Sequence, residues 1–179
     1  MSKKKLKTRP LRKTLLIVVE GEADVVFVNH LRTLYVKRET SPHTTIKNAR
    51  GKGGAHVLKK GNAYTRQADY DQKVLILDTD VNWGVAQKKK AADENWIVIE
   101  STPCFEAFLL DILNIRYPGN SQAQKKRFDK EFQGAAHEVT VIKKIYSQEV
   151  LNDAALRMKN LATLIDVIRY GNTPLKSKH

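Results

Sequence analysis

Two uninterrupted apolar runs constrain this chain more than any other feature. Residues 15–19 (LLIVV) and 74–77 (VLIL) are short, aliphatic and non-alternating. That is the pattern of strands buried on both faces, as in parallel sheets covered by helices. Each run ends in acids: Glu20-Gly21-Glu22-Ala23-Asp24 after the first, Asp78-Thr79-Asp80 after the second. A segment with helical character follows each cluster. In an open parallel sheet the carboxyl ends of the strands form the crevice where ligands bind. Acids delivered there from neighbouring strands converge. In a chain of net charge +13, convergent carboxylates point to a divalent cation, and a cation among basic residues points to phosphate chemistry.

The remaining segments alternate in the same way. Residues 23–36 place Val25, Val26, Phe27, Leu31, Leu34 and Tyr35 at helical spacing. Residues 43–48 are a weaker strand candidate, with Thr44, Thr45 and Ile46 suited to a pleat. A basic glycine-rich loop, residues 50–54, leads into a predicted helix over 55–67. After the strand at 73–77 come a helix over 83–92 with Lys88, Lys89 and Lys90 outward, and a strand at 96–99. Thr102 and Pro103 read as the N-cap and first position of a helix reaching Leu113. Four strands alternating with helices imply an α/β fold with a mostly parallel sheet. After a turn cluster at 117–120, helices are expected over 121–132, 138–147 and 149–170. The expected organisation is a basic arm (1–13), an α/β domain (14–116), a helical appendage (117–170) and a loose tail (171–179).

Residues 1–13 hold seven Lys or Arg and no acid. Such an arm either binds polyanions without sequence preference or serves as a solubilising tail. The apolar run behind it is too short for a secretory h-region, and no stretch approaches the roughly 20 apolar residues of a membrane span. Cys104 is the only cysteine, so neither a disulfide within the chain nor a cysteine zinc cluster is available, which favours a reducing, cytoplasmic setting. Aromatics are 7% of residues, few for a protein whose main act is stacking single-stranded bases. The five histidines lack metal-binding spacing.

Residues 19–26, VEGEADVV, closely resemble the first motif of the Toprim domain, shared by bacterial primases, type IA and type II topoisomerases and several small nucleases. Leu77-Asp78-Thr79-Asp80 resembles the second, a strand ending in Asp-x-Asp, in the family's order and with one βα unit between. A wider stretch, residues 9–113, is similar to the RloB-like proteins, Toprim relatives associated with phage abortive infection and restriction loci. It carries the basic arm, LLIVVEGE, the glycine-rich loop, the Asp-bearing strand and Ser101-Thr102-Pro103-Cys104-Phe105-Glu106. RloB-like proteins usually have Thr-Glu where this chain has Ala23-Asp24, so its first motif leans toward the primase form.

The resemblance implies a Toprim fold, a four-stranded Rossmann-like sheet with helices on its faces. It also implies Glu20 as general acid or base or metal ligand, and Asp78 and Asp80 as ligands of Mg²⁺ or Mn²⁺. Asp24 either orients Glu20 or caps the helix. Gly21 is expected to allow a sharp turn beside the metal. Glu106, in the first turn after the strand at 96–99, either completes the metal site or complements the helix N-terminus. Arg50 and Lys52, with the amides of their loop, are candidates to hold phosphate oxygens, or form a flexible basic loop with no ligand. Cys104 reads as a small buried apolar residue.

The expected activity is Mg²⁺-dependent phosphodiester hydrolysis of DNA or RNA in prokaryotic phage defence, with a partner defence protein such as an ATPase. The alternatives are a Toprim module that binds nucleic acid or nucleotide without turnover, and a primase-like nucleotidyl transferase. With 179 residues the chain has no room for the zinc-binding and helicase-contacting domains of a primase, and its tail announces no topoisomerase tyrosine domain.

Overall fold

The computed structural model describes residues 12–116 and 118–171. Most of the basic arm, Tyr117 and residues 172–179 lie outside the described residues. The chain runs β1 (Thr14–Val19), α1 (Glu22–Tyr35), β2 (His43–Asn48), α2 (Gly54–Thr65), β3 (Gln72–Asp78), α3 (Val85–Asp93), β4 (Ile97–Ser101), α4 (Phe105–Ile112), α5 (Ser121–Phe132), α6 (Val139–Ile145), α7 (Gln148–Ala155) and α8 (Lys159–Tyr170).

All strand pairs are parallel, in the order β2-β1-β3-β4. The chain steps from β1 to β2 on one side, then crosses to β3 on the other. The order therefore reverses between β1 and β3, and that reversal is the topological switch point at which doubly wound sheets bind ligands. Right-handed crossovers in opposite directions send helices to opposite faces. The packing agrees: α1 covers one face, α2 and α3 the other.

The pleat explains why β1 had to be apolar throughout. Leu15, Ile17 and Val19 point into a core shared with Phe27, Phe108, Tyr146 and Leu164. Leu16 and Val18 point the other way, against Val57, Leu58, Trp83 and Trp96. Each such aliphatic side chain contributes on the order of 1.5–3 kcal/mol on burial. The last four helices complete the first face: Phe128, Ile142, Leu151, Leu161 and Ile168 belong to the same apolar cluster as α1 and α4. Tyr146 is fully buried, its hydroxyl donating to the Leu109 carbonyl at 3.0 Å while its own carbonyl lies 2.6 Å from His30 Nε2.

Two predicted elements differ. The single helix expected over 149–170 is broken at residues 156–158, where Arg157 turns its guanidinium onto the Asp111 and Ile112 carbonyls, 2.8 and 2.6 Å away. Both carbonyls lie in the last turn of α4, where acceptors outnumber the helix's own donors, so a distant helix end is bound by interrupting this one. Thr102 does not cap α4 either. The cap is Cys104 and the helix starts at Phe105. The Thr102–Pro103 peptide is cis, and the Thr102 hydroxyl accepts from Thr79 Oγ1 at 3.0 Å.

Candidate functional site

The acids at the strand ends meet where β1 and β3 lie side by side, Val19 opposite Ile76. Glu20 bridges the two strand-end loops. Its Oε2 accepts the Asp78 amide and its Oε1 the Gly53 amide, both at 3.0 Å. The carboxylate is therefore fixed by two backbone donors from separate loops, and retains further lone pairs for a ligand.

Asp78 sits at the end of β3, and its Oδ1 is buried with no hydrogen-bond partner. Burial, then the charges of Glu20, Glu106 and Asp80, push its carboxyl up to about 7. Asp24 is 3% exposed. It caps α1, its Oδ2 accepting the Gly21 amide at 2.9 Å, while its Oδ1 is buried without a partner. Burial first, then repulsion from Asp78 and Glu20, holds it well above the usual carboxylate range. Acids raised by burial and by neighbouring carboxylates are what such groups brought together without a counter-ion must show.

Gly21 does not serve as expected. Its backbone is extended (φ −136°, ψ −178°), a conformation open to any residue, so the entry to α1 does not depend on left-handed geometry. That demand falls instead on the loop before α2, where Arg50, Gly51, Lys52 and Gly53 have φ of 64°, 78°, 76° and 78°. This loop also differs from the expected phosphate cradle. The Arg50 amide donates to Asn48 Oδ1, Gly51 to the Glu20 carbonyl, Gly53 to the Glu20 carboxylate and Gly54 to the Val81 carbonyl. These amides grip Glu20 and the β3–α3 loop. The exposed side chains of Arg50 and Lys52 are left to face solvent-borne anions.

The C-terminal helices supply what sequence reasoning missed. Ser121, the first residue of α5, donates its hydroxyl to Asp80 Oδ2. Lys125, one turn further, feels the charges of Glu106, Asp78 and Asp80; its ammonium is raised despite opposing desolvation. Ser101, the register partner of Asp78, has a buried hydroxyl with no partner. Glu106, in the first turn of α4, is close enough to raise Asp78, as Glu20 is. Cys104 is fully buried, and its thiol is pushed up to about 12, chiefly by burial. That removes any thiolate nucleophile. No sequence pattern links α5 to the acids; only the packing of α5 on α4 does.

Among the described residues, no three His, Cys, Asp or Glu side chains stand close enough to hold an ion by themselves. Mg²⁺ does not require such a cage, since it is commonly held by one or two carboxylates, water and substrate phosphate. The partnerless Asp78 Oδ1 amid four other carboxylates fits that water-rich mode.

The fold and the crevice define a doubly wound α/β protein with an acidic site at its switch point. No protein-family model matches the chain, and no curated protein or solved structure does. Among the described residues no helix is long and apolar enough to cross a membrane.

Proposed function

We propose that this chain is a Toprim-type, divalent-metal-dependent phosphoryl-transfer enzyme, a nuclease acting on DNA or RNA, working in prokaryotic phage defence alongside a partner protein such as an ATPase, and located in the cytoplasm. The observation that carries the reading is the unpartnered Asp78 Oδ1 at the switch point, ringed by Glu20, Asp24, Asp80 and Glu106. Asp78 and Asp80, with Glu20 or Glu106, would hold Mg²⁺ or Mn²⁺. Such an ion supplies charge neutralisation on a phosphodiester and lowers the pKa of a bound water.

The chain's own residues divide the other tasks. Glu20, held in one orientation by the Asp78 and Gly53 amides, would manage the proton. Lys125 and the side chains of Arg50 and Lys52 draw the nucleic-acid backbone to an otherwise repulsive acidic cleft. Asp24 keeps α1 docked by accepting the Gly21 amide. The RloB-like motifs across residues 9–113 supply the defence context.

A non-catalytic module is the second reading, favoured by the lack of three assembled carboxylates among the described residues. It expects salt-dependent nucleic-acid binding and no product. The deciding experiment incubates labelled DNA and RNA with Mg²⁺ or Mn²⁺ and compares the wild type with Glu20→Gln and Asp78→Ala. Metal-dependent cleavage lost in both variants supports the enzyme; cleavage that persists in both refutes it.

A further inference from the structure

At the opposite end of the sheet from the acids lies a second concentration of charge, of the other sign. Arg12, just before β1, Arg32 and Arg38, at the end of α1 and just after it, and His43, which opens β2, line a cavity of about 310 Å³ with Val36, Pro42 and Thr44. Among the described residues no carboxylate lines it. Three guanidiniums around one small cavity repel one another, and they find no acid there to offset the repulsion.

The cavity walls are fixed. Arg12 donates Nε and Nη2 together to the Ser41 carbonyl, at 3.1 and 2.9 Å. Ser41 is fully buried. Its hydroxyl accepts the Lys37 amide and donates to the Arg169 carbonyl, both at 2.8 Å. The α1–β2 loop is thus stitched to α8, and the guanidinium of Arg12 is oriented before any ligand arrives. Among the described residues Arg32 is held by one end only, Nη1 to Asn29 Oδ1 at 3.3 Å, and its buried Nε has no hydrogen-bond partner. A buried, charged donor left unmade is costly, and a tetrahedral anion supplies the missing acceptor in the geometry that guanidinium forks favour.

We propose that Arg12, Arg32 and Arg38 form a phosphate-binding pocket, separate from the acidic crevice, that takes a phosphoryl group of a polynucleotide or a free phosphate ion. The six-residue β1 separates the two sites by about 20 Å at 3.3 Å per residue. In sequence, Arg12 is preceded by Lys3, Lys4, Lys5, Lys7 and Arg9, so the stretch of chain that enters the pocket is basic. The inference is independent of whether the acidic site cuts.

The test is calorimetric titration of inorganic phosphate into the full chain, with Arg32→Gln, Arg38→Gln and, as a control on the exposed face of α3, Lys89→Gln compared and folding checked by circular dichroism. The expected result is saturable binding weakened at least tenfold in both arginine variants and unchanged in Lys89→Gln. A shift of the Arg32 Nε–Hε resonance on phosphate addition, identified by its loss in Arg32→Gln, supports the same assignment. A second titration with an oligothymidylate separates the ligand sources. Parallel weakening in the arginine variants assigns the pocket to polynucleotide, whereas unchanged oligonucleotide affinity assigns it to the free ion. Phosphate affinity that survives Arg32→Gln, or falls as far in Lys89→Gln as in the arginine variants, overturns the proposal.

Discussion

Replacing Asp78 by asparagine should stabilise the metal-free protein. The side chain is mostly buried, its Oδ1 lacks a donor, and its carboxyl is pushed up to about 7, first by burial and then by Glu20, Glu106 and Asp80. In the unfolded chain an aspartate titrates near 3.9. The folded state therefore holds this proton across the interval that the unfolded state has already lost it. Stability conferred by the site falls as pH rises from about 4 to about 7 and is flat above. At 1.36 kcal/mol per unit the full penalty is about 4 kcal/mol at pH 8, declining to about 1.5 kcal/mol at pH 5. Asparagine matches the protonated acid in shape and carries no charge, so it should recover most of that difference. Urea denaturation in EDTA at pH 8 and pH 5, comparing wild type with Asp78→Asn, measures it. A gain of equal size at both pH values, or no gain at pH 8, would refute the electrostatic reasoning. The same variant should lose metal-dependent activity, because the strain it relieves is the strain that a cation would relieve.

Three further outcomes follow from the packing. Gly53→Ala places a methyl 2.6 Å from the Val81 carbonyl oxygen at a residue with φ of +78°; thermal melting should show a loss of about 2–3 kcal/mol from strain and overpacking combined, and cleavage should fall with the displaced Glu20. Tyr146→Phe removes the buried bond to the Leu109 carbonyl and should cost about 1–2 kcal/mol in denaturant midpoint at unchanged m-value. Lys125→Met removes a cation that Asp78, Asp80 and Glu106 all feel, so calorimetry should show tighter Mn²⁺ binding while the KM for oligonucleotide rises; weaker Mn²⁺ binding would show that Lys125 does not face the acids.

The three strong strands and the acids at their ends were legible because burial on both faces leaves a continuous apolar run, and such a run announces its own termini. Even β2, whose HTTIKN pattern is weak, fell at the expected residues, since a sheet edge needs only half its side chains buried. The C-terminal half was harder to read. Nothing local breaks the pattern at residues 156–158: no glycine or proline stands there. The break answers to the α4 carbonyls that Arg157 reaches, a partnership made only in three dimensions. The contribution of Ser121 and Lys125 is hidden in the same way. Both sit on a charged, apparently ordinary helix, and become site residues only because Phe128 anchors α5 in the core beside α4. The role given to Gly21 failed for a different reason. Glycine after a strand suggests left-handed backbone, but Asp24 reaches back to its amide, and an extended residue suffices for that cap.

The packing of α5 against α4 also sets an order of assembly. A chain emerging from the ribosome presents Glu20, Asp78 and Glu106 before Ser121 and Lys125 exist to balance them, and before α6, α7 and α8 can cover the face of the sheet that Phe27 and Phe108 line. Folding of a domain during synthesis waits for the segments that complete its core. The acidic crevice is therefore assembled late, once α5 to α8 have been made, and a truncated product ending after α4 would carry the acids without the scaffold that aims them.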